Sequence, residues 1–294
     1  MIGTQLYKGQ GLVNQLWVYA VTRSIALRNN YEFAIPGKNN FKGKYFLKLD
    51  FGKKIDINLL DYPAHRIPNG FRFYYAEKKL IHPVHNCDIS EFDVDLFNIP
   101  DNTFIDGNMQ TEKYIVDYRE MIQDWFSVPT QFFEGCTIHL RGTEYRGLQD
   151  VLLPMEYFQN AIEYLRNKYG DVKFRVVTDD FELATKYFPH FPILGQSILK
   201  NIASKTLIPI KARLKVGPNQ KSICRDFAAI QNSKYLIIPN SSFSWWGAWT
   251  NRRAVEVVAP KYWARHNISD GFWSTGDIKT EGWTWLDRDN NIGS

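Results

Sequence analysis

Residues 235–249 read YLIIPNSSFSWWGAW. The run 235–238 is apolar on both faces, short, and closed by Pro239. That pattern predicts a strand buried on both sides, as in a parallel sheet covered by helices. Asn240, Ser241 and Ser242 fall where the next helix begins. Backbone N–H groups and the helix dipole make such a position a natural anion site, and two hydroxyls add donors. Ser and Asn are also the preferred N-cap residues, so the segment alone reads equally as an ordinary cap. Trp245, Trp246 and Trp249 follow at i, i+1 and i+4. Such a wedge packs inward more often than it forms a sugar-stacking platform.

Working outward, the same pattern repeats. Strands are predicted at 136–141 (CTIHLR), 174–178 (FRVVT) and 254–260 (AVEVVAP). Pro154 opens a helix with Met155, Phe158, Ile162 and Leu165 on one side, and Gly170 closes it. Ser222 caps another, with Ile223, Phe227 and Ile230 inward. Residues 196–221 are basic and read as ordered loop or short helices. Strands alternating with helices mean an α/β fold whose ligands bind at the carboxyl ends of the strands. The first half begins with a strand near 4–7, a KGQG turn and an apolar helix over 12–28 ended by Asn29 and Asn30. Strands at 31–36, 45–51 and 71–75 follow, then mostly loop, then a helix over 112–126. Ser127, Val128, Pro129 and Thr130 break the pattern and mark a domain boundary.

Composition is that of a globular protein: 294 residues, 44% hydrophobic, 23% charged and 15% aromatic. A net charge of +5 suits an anionic small ligand and is too weak for nucleic acid, which calls for a concentrated basic stripe. Cys87, Cys136 and Cys224 have no metal or disulfide spacing, which points to a reducing, cytoplasmic setting. The N-terminus carries no apolar leader, and no stretch approaches the 18 apolar residues of a membrane span. Peripheral membrane contact stays open.

Three further constellations carry candidate chemistry. In IHLRGTEYRG (138–147) Arg141 stands at the end of an apolar strand, and a guanidinium matches phosphate bidentately. His139 lies on the same strand face. A surface arginine beside a structural histidine is the competing reading. In KGQGLVNQLW (8–17) two glycines precede a helix, but neither G-x-G-x-x-G nor a P-loop is present. Asn14 and Gln15 there need polar partners, either a ligand or backbone. Asp179 and Asp180 end the FRVVT strand, where they suit either a ribose or base edge or the first turn of the next helix. Asp226, within an otherwise apolar helix, is similarly ambiguous. The sequence reads as lacking H-E-x-x-H, G-x-S-x-G and a D-x-D flanked by apolar residues, and no metal-ligand cluster lies near these motifs.

GQGLVNQLWVYAVTRSIAL, IHLRGTEY and NSSFSWWGAW, in this order, resemble the bacterial α-1,2-fucosyltransferases of glycosyltransferase family 11. DGNMQTEKYI (106–115), VVTDD (176–180) and VVAPKYW (257–263) resemble further stretches of that family. The resemblance implies a GT-B architecture, two Rossmann-like domains facing a cleft. It places an acceptor-side domain over 1–130, a GDP-sugar-binding domain over 131–265, and a tail over 266–294 packing back on the first domain. It implies an inverting, metal-independent transfer of L-fucose from GDP-β-L-fucose to a sugar hydroxyl, α-1,2 on a terminal galactose, with no cofactor.

Within that resemblance Arg141 falls on the first arginine of H-x-R-R-x-D, His139 on its histidine and Glu144 on its aspartate. Asn14 and Gln15 fall on the Asn-Gln of the first motif, and Ser241 and Ser242 on the hydroxyl pair. Donor contacts are expected from Asn14, Gln15, His139, Arg141, Asp179, Asp226, Asn240, Ser241 and Ser242. Arg141 would stabilise the departing diphosphate, and Glu144 or Asp150 would deprotonate the acceptor. Gly142 replaces the family's second arginine, a loss that Arg146 or Lys211 would have to make good. Val13 replaces a glycine. Two other readings compete: a transferase using a different nucleotide-sugar, and a non-catalytic carbohydrate-binding protein.

Overall fold

The computed structural model describes residues 1–55, 67–81, 88–148, 151–195, 220–263, 278–287, 289 and 291–293. The chain divides into two compact units, 1–126 with 273–280 and 127–272 with 281–294.

The first unit runs β1 (Ile2–Gly3), α1 (Leu12–Arg28), β2 (Phe33–Ala34), β3 (Phe73–Ala76), β4 (Lys79–Ile81), β5 (Asp88–Ser90), β6 (Thr103–Asp106) and α2 (Arg119–Trp125). Its four-stranded sheet has the order β2-β1-β6-β3 with every pair parallel, while β4 and β5 form a separate antiparallel pair. Helix α1 has the bounds its sequence predicts. Apolar residues surround it, so it is buried on most sides, and the Asn29 side chain closes it by donating to Ile25 O at 3.0 Å.

Three predicted elements differ. The pairing strand near the N-terminus is Ile2–Gly3 rather than 4–7, although Leu6 N still donates to Pro36 O at 3.0 Å. Residues 45–51 form no strand. Phe46 and Leu47 instead close tight turns onto Gly43 O at 3.0 and 2.9 Å, and buried Phe41 and Leu47 anchor them. The helix predicted over 112–126 is two 3₁₀ turns, Glu112–Tyr114 and Val116–Tyr118, followed by α2 alone. The Thr111 side chain caps the first turn, accepting from Lys113 N, so the backbone is committed locally before a long helix can propagate.

The second unit runs β7 (Phe133–Leu140), α3 (Met155–Tyr169), β8 (Phe174–Thr178), α4 (Phe181–Tyr187), α5 (Gln220–Gln231), β9 (Ser233–Ile237), α6 (Ser242–Trp249), β10 (Glu256–Pro260), β11 (Thr284–Leu286) and β12 (Ile292–Gly293). The sheet order is β12-β11-β10-β9-β7-β8, parallel except for β12. The predicted strands therefore form one sheet. Its core packs Ile138, Leu140, Val176 and Ile237 against Phe158 and Leu165 of α3. Helix α5 starts at Gln220, two residues before the predicted Ser222 cap. The tail expected to pack back on the first domain is split instead. Residues 278–280 group with the first unit, while β11 and β12 extend the second sheet, because Thr284, Trp285 and Leu286 pair with β10. The basic stretch 196–219, with Lys211, lies outside the described residues. Cys136 and Cys224 are free. No helix among the described residues is long and apolar enough to cross a membrane.

The three tryptophans of α6 are fully buried, Trp245 and Trp249 stacked at 5.6 Å and Trp246 edge-on to both. They are core, not an exposed sugar platform. They fit because Gly247 lets α6 approach α5: a Cβ there would stand 2.7 Å from Ile230 Cγ2. We therefore expect Gly247→Ala to cost roughly 1–3 kcal/mol in urea unfolding, as overpacking does. Ile230→Ala, which removes that methyl, should lessen the penalty in a double-mutant cycle; additive losses would show that the close approach is not what the glycine serves.

Candidate functional site

The parallel register carries the candidate residues to one end of the second sheet. Leu140 pairs with Thr178, so the next residues, Arg141 and Asp179, leave their strands side by side. Arg141 Nη1 lies 2.6 Å from Asp179 Oδ2, and Nη2 donates to Glu144 Oε2 at 2.5 Å. The Asp179 carboxylate is largely covered and also accepts from Gly142 N at 2.8 Å. The guanidinium is thus held in a fixed orientation while a quarter of the side chain stays exposed (25%). Glu144 is largely exposed, at 74%. Tyr145, a residue that sequence reading passes over, bridges the strand ends: its hydroxyl donates to Asn240 O at 3.2 Å, and the Arg141 guanidinium lies 5.8 Å from its ring. Asp150 lies outside the described residues.

His139 is buried, 5.7 Å from the Phe243 ring. Burial, reinforced by the Arg141 charge, pushes its pKa down to about 3, so the imidazole is neutral. Its Nδ1 has no hydrogen-bond partner among the described residues, nor does the buried Asn240 Oδ1. The Asn240 amide nitrogen donates to Val151 O at 2.9 Å and Trp263 O at 2.7 Å, which ties the β9–α6 turn to both neighbours. Ser241 occupies the N-cap of α6 with extended backbone, yet its hydroxyl makes no capping bond. The ordinary-cap reading does not describe it. Ser242 begins the helix and is half-buried.

Asp226 sits on α5. Burial is the main cause that lifts its carboxyl to about 7; the Asp179 charge adds to it and Arg225 opposes it. Arg225 Nε donates to Asp226 Oδ1 at 2.8 Å, a partner that adjacency in sequence alone could have flagged. Asp180, by contrast, serves the fold. It caps α4 by accepting from Leu183 N at 3.0 Å, and Arg146 clamps it with Nε and Nη2.

Asn14 and Gln15 lie in the first unit. Gln15 is buried with its amide committed to backbone, donating to Asn40 O and accepting from Lys42 N, both at 2.9 Å. Asn14 accepts from Gln110 Nε2 at 3.1 Å, within the stretch 106–115. The reading that no D-x-D flanked by apolar residues occurs is wrong: Asp93-Val94-Asp95, between Phe92 and Leu96, has the spacing of a cation-binding pair. Lys78 Nζ already stands between the two carboxylates, 2.8 Å from Asp93 and 3.4 Å from Asp95, and the Tyr75 hydroxyl donates to Asp93 at 2.9 Å.

A model of glycosyl transferase family 11 matches residues 88–287. The chain belongs to that family. The match takes in every candidate residue except Asn14 and Gln15. Among curated relatives, an alpha-1,2-colitosyltransferase of Escherichia coli is 25% identical over 200 residues, 62% of either chain. The O-antigen biosynthesis glycosyltransferase WbnK of Escherichia coli is 28% identical over 120 residues, 40% of this chain and 33% of that protein. The alignments thus span 62% and 33% of these relatives' lengths. Among solved structures, a NodZ alpha-1,6-fucosyltransferase soaked with GDP-fucose covers 87% of this chain and 93% of its own, at 12% identity and a TM-score of 0.38. The fucosyltransferase NodZ from Bradyrhizobium covers 87% and 94%, at 12% identity and a TM-score of 0.36.

Gly142, where the resemblance would place a second arginine, packs closely on Asp180. A Cβ there would stand 2.5 Å from Asp180 Cβ and 2.9 Å from its Oδ2. In this family member Arg146 brings a cation near that point from four residues downstream, but its charge is spent on Asp180 and Glu182.

The shifted carboxyl makes a prediction about this family 11 site. Between the ordinary carboxylate range and about pH 7 the folded chain holds a proton on Asp226 that the unfolded chain releases, so stability falls as pH rises through that window. The melting temperature of Asp226→Asn minus that of the wild type should therefore rise from about pH 5 to about pH 8. A difference independent of pH would mean that the carboxyl titrates normally.

Proposed function

We propose that this chain transfers an L-fucosyl group from GDP-β-L-fucose to a glycan hydroxyl, with inversion and without a metal, forming an α-1,2 linkage on a terminal galactose. The observation that carries this reading is the cluster at the carboxyl ends of β7, β8 and β9. It comprises a fixed, partly exposed Arg141, the N-terminus of α6 with a Ser241 hydroxyl that makes no capping bond, and two buried polar atoms without partners among the described residues. Family membership and the α-1,2 linkage in a relative's name support the chemistry.

In this reaction the acceptor oxygen attacks the anomeric carbon as the bond to the diphosphate breaks. The electron pair leaves on the β-phosphate, where Arg141 and the α6 N–H groups meet the growing charge. Glu144, exposed beside Arg141, takes the acceptor proton, with Asp150 the other candidate. His139, Asp179, Asp226 and Asn240 shape and orient the donor pocket. Arg146 and Lys211 are the cations to test for the missing second arginine.

A second reading keeps the linkage and exchanges fucose for colitose, favoured by the name of the 25%-identical relative. A donor panel of GDP-fucose, GDP-colitose and UDP-sugars, assayed in EDTA, separates the two. It also separates both from a carbohydrate-binding protein, which would turn over none of them.

The structure decides which arginine variant is informative. Arg141→Ala leaves the Asp179 carboxylate without its counter-charge, so lost activity there would confound fold with chemistry. Arg141→Lys keeps the charge beside Asp179 but cannot make two parallel hydrogen bonds. We expect it to fold normally and to lose roughly 10²–10³ in kcat. A folded Arg141→Lys enzyme within tenfold of wild type, or activity that requires Mn²⁺ after EDTA, would overturn this mechanism.

A further inference from the structure

Positive charge is concentrated in two segments of the sequence, 38–54 and 196–221, of which the first lies within the described residues. Residues 38–54 carry six lysines (38, 42, 44, 48, 53 and 54) and one aspartate, Asp50, for a net +5. All six lysines are exposed. Among the described residues only Lys53 has a carboxylate partner, Glu32. Tyr45 projects among them at 64% exposure, with Lys44 Nζ 5.4 Å from its ring centroid.

This surface is rigidly presented. Buried Phe41 and Leu47 pin it from below. Gln15 bridges Asn40 O and Lys42 N, the Asn40 amide donates to Leu6 O at 2.8 Å, and Lys42 Nζ reaches Gly9 O at 3.3 Å. The turns onto Gly43 hold Lys42, Lys44, Tyr45 and Lys48 outward. None of this belongs to the candidate transfer site on the second sheet.

We propose that residues 38–54 dock the protein on an anionic lipid leaflet. Four to eight clustered basic residues suffice for attraction to a negatively charged bilayer surface, each contributing about 1 kcal/mol, or roughly fivefold in partitioning. Every cation in the segment is a lysine. Ammonium groups are point charges suited to a fluid array of headgroup phosphates, whereas fixed recognition of a polymer's anions favours the bidentate guanidinium. An exposed tyrosine among the lysines matches the preference of amphipathic rings for the headgroup level.

Flotation of the full chain with phosphatidylcholine vesicles, with and without phosphatidylglycerol, tests this. Binding should require the anionic lipid and weaken at high salt. Lys42→Gln/Lys44→Gln/Lys48→Gln should bind roughly 10²-fold more weakly, from three fivefold losses. Tyr45→Ser should weaken binding without changing its salt dependence. The control triple Lys173→Gln/Lys186→Gln/Lys221→Gln removes equal charge from exposed positions of the second unit and should bind as wild type does. Three outcomes would overturn the proposal: no preference for anionic vesicles, equal losses in the two triples, or tighter binding to a soluble acidic polysaccharide such as alginate than to the vesicles. Single variants at Lys44 and Lys48, each expected to lose about fivefold, keep the test open if the triple does not fold.

Discussion

Parallel pairing between β7 and β8 sets Leu140 beside Thr178, and the ion pair between the next two residues, Arg141 and Asp179, follows from that register. Slip either strand by one residue and the partners turn to opposite faces of the sheet. The same pair locates the loop, because Asp179 also accepts from Gly142 N and its carbonyl accepts from the Thr143 hydroxyl at 2.7 Å. These bonds hold the arrangement in place, and a fixed guanidinium costs no reorganisation when charge develops near it. Fold and candidate chemistry are thus coupled through one salt bridge.

That coupling brings an electrostatic tension. Arg141 faces Asp179 and Glu144, and Arg146 faces Asp180 and Glu182, so each arginine is at least matched by acids. The shifted pKa of Asp226 relieves part of this, since a carboxyl titrating near 7 carries less negative charge beside Asp179 than an ordinary one would. Gly142 belongs to the same economy of space. A side chain there would run into Asp180, which is already holding Arg146 and capping α4.

Much of this was legible in the sequence, wherever one segment carried its own explanation. The bounds of α1 follow from an apolar run ended by asparagine, and the strand–turn–helix of 235–249 follows from a short apolar run meeting Pro, Asn and Ser. Reading failed where distant residues decide. The alternation in 45–51 looks like a strand, but Phe46 and Leu47 close turns over buried Phe41. For Gln15 the sequence leaves ligand and backbone both open, and backbone more than twenty residues away satisfies its amide. The Arg141–Asp179 contact crosses two strands, and no local pattern announces it. The Asp93-Val94-Asp95 pair shows the converse: the spacing is present, yet Lys78 fills it.

The central claim is that the ends of β7, β8 and β9 form a GDP-sugar site built on Arg141. Isothermal titration of the unmodified chain with GDP and with UDP, both in EDTA, addresses it most directly. The account predicts saturable one-to-one GDP binding that is at least tenfold tighter than UDP binding and is weakened by Arg141→Lys. Equal affinity for the two nucleotides, or GDP binding indifferent to Arg141→Lys in a folded protein, would contradict it.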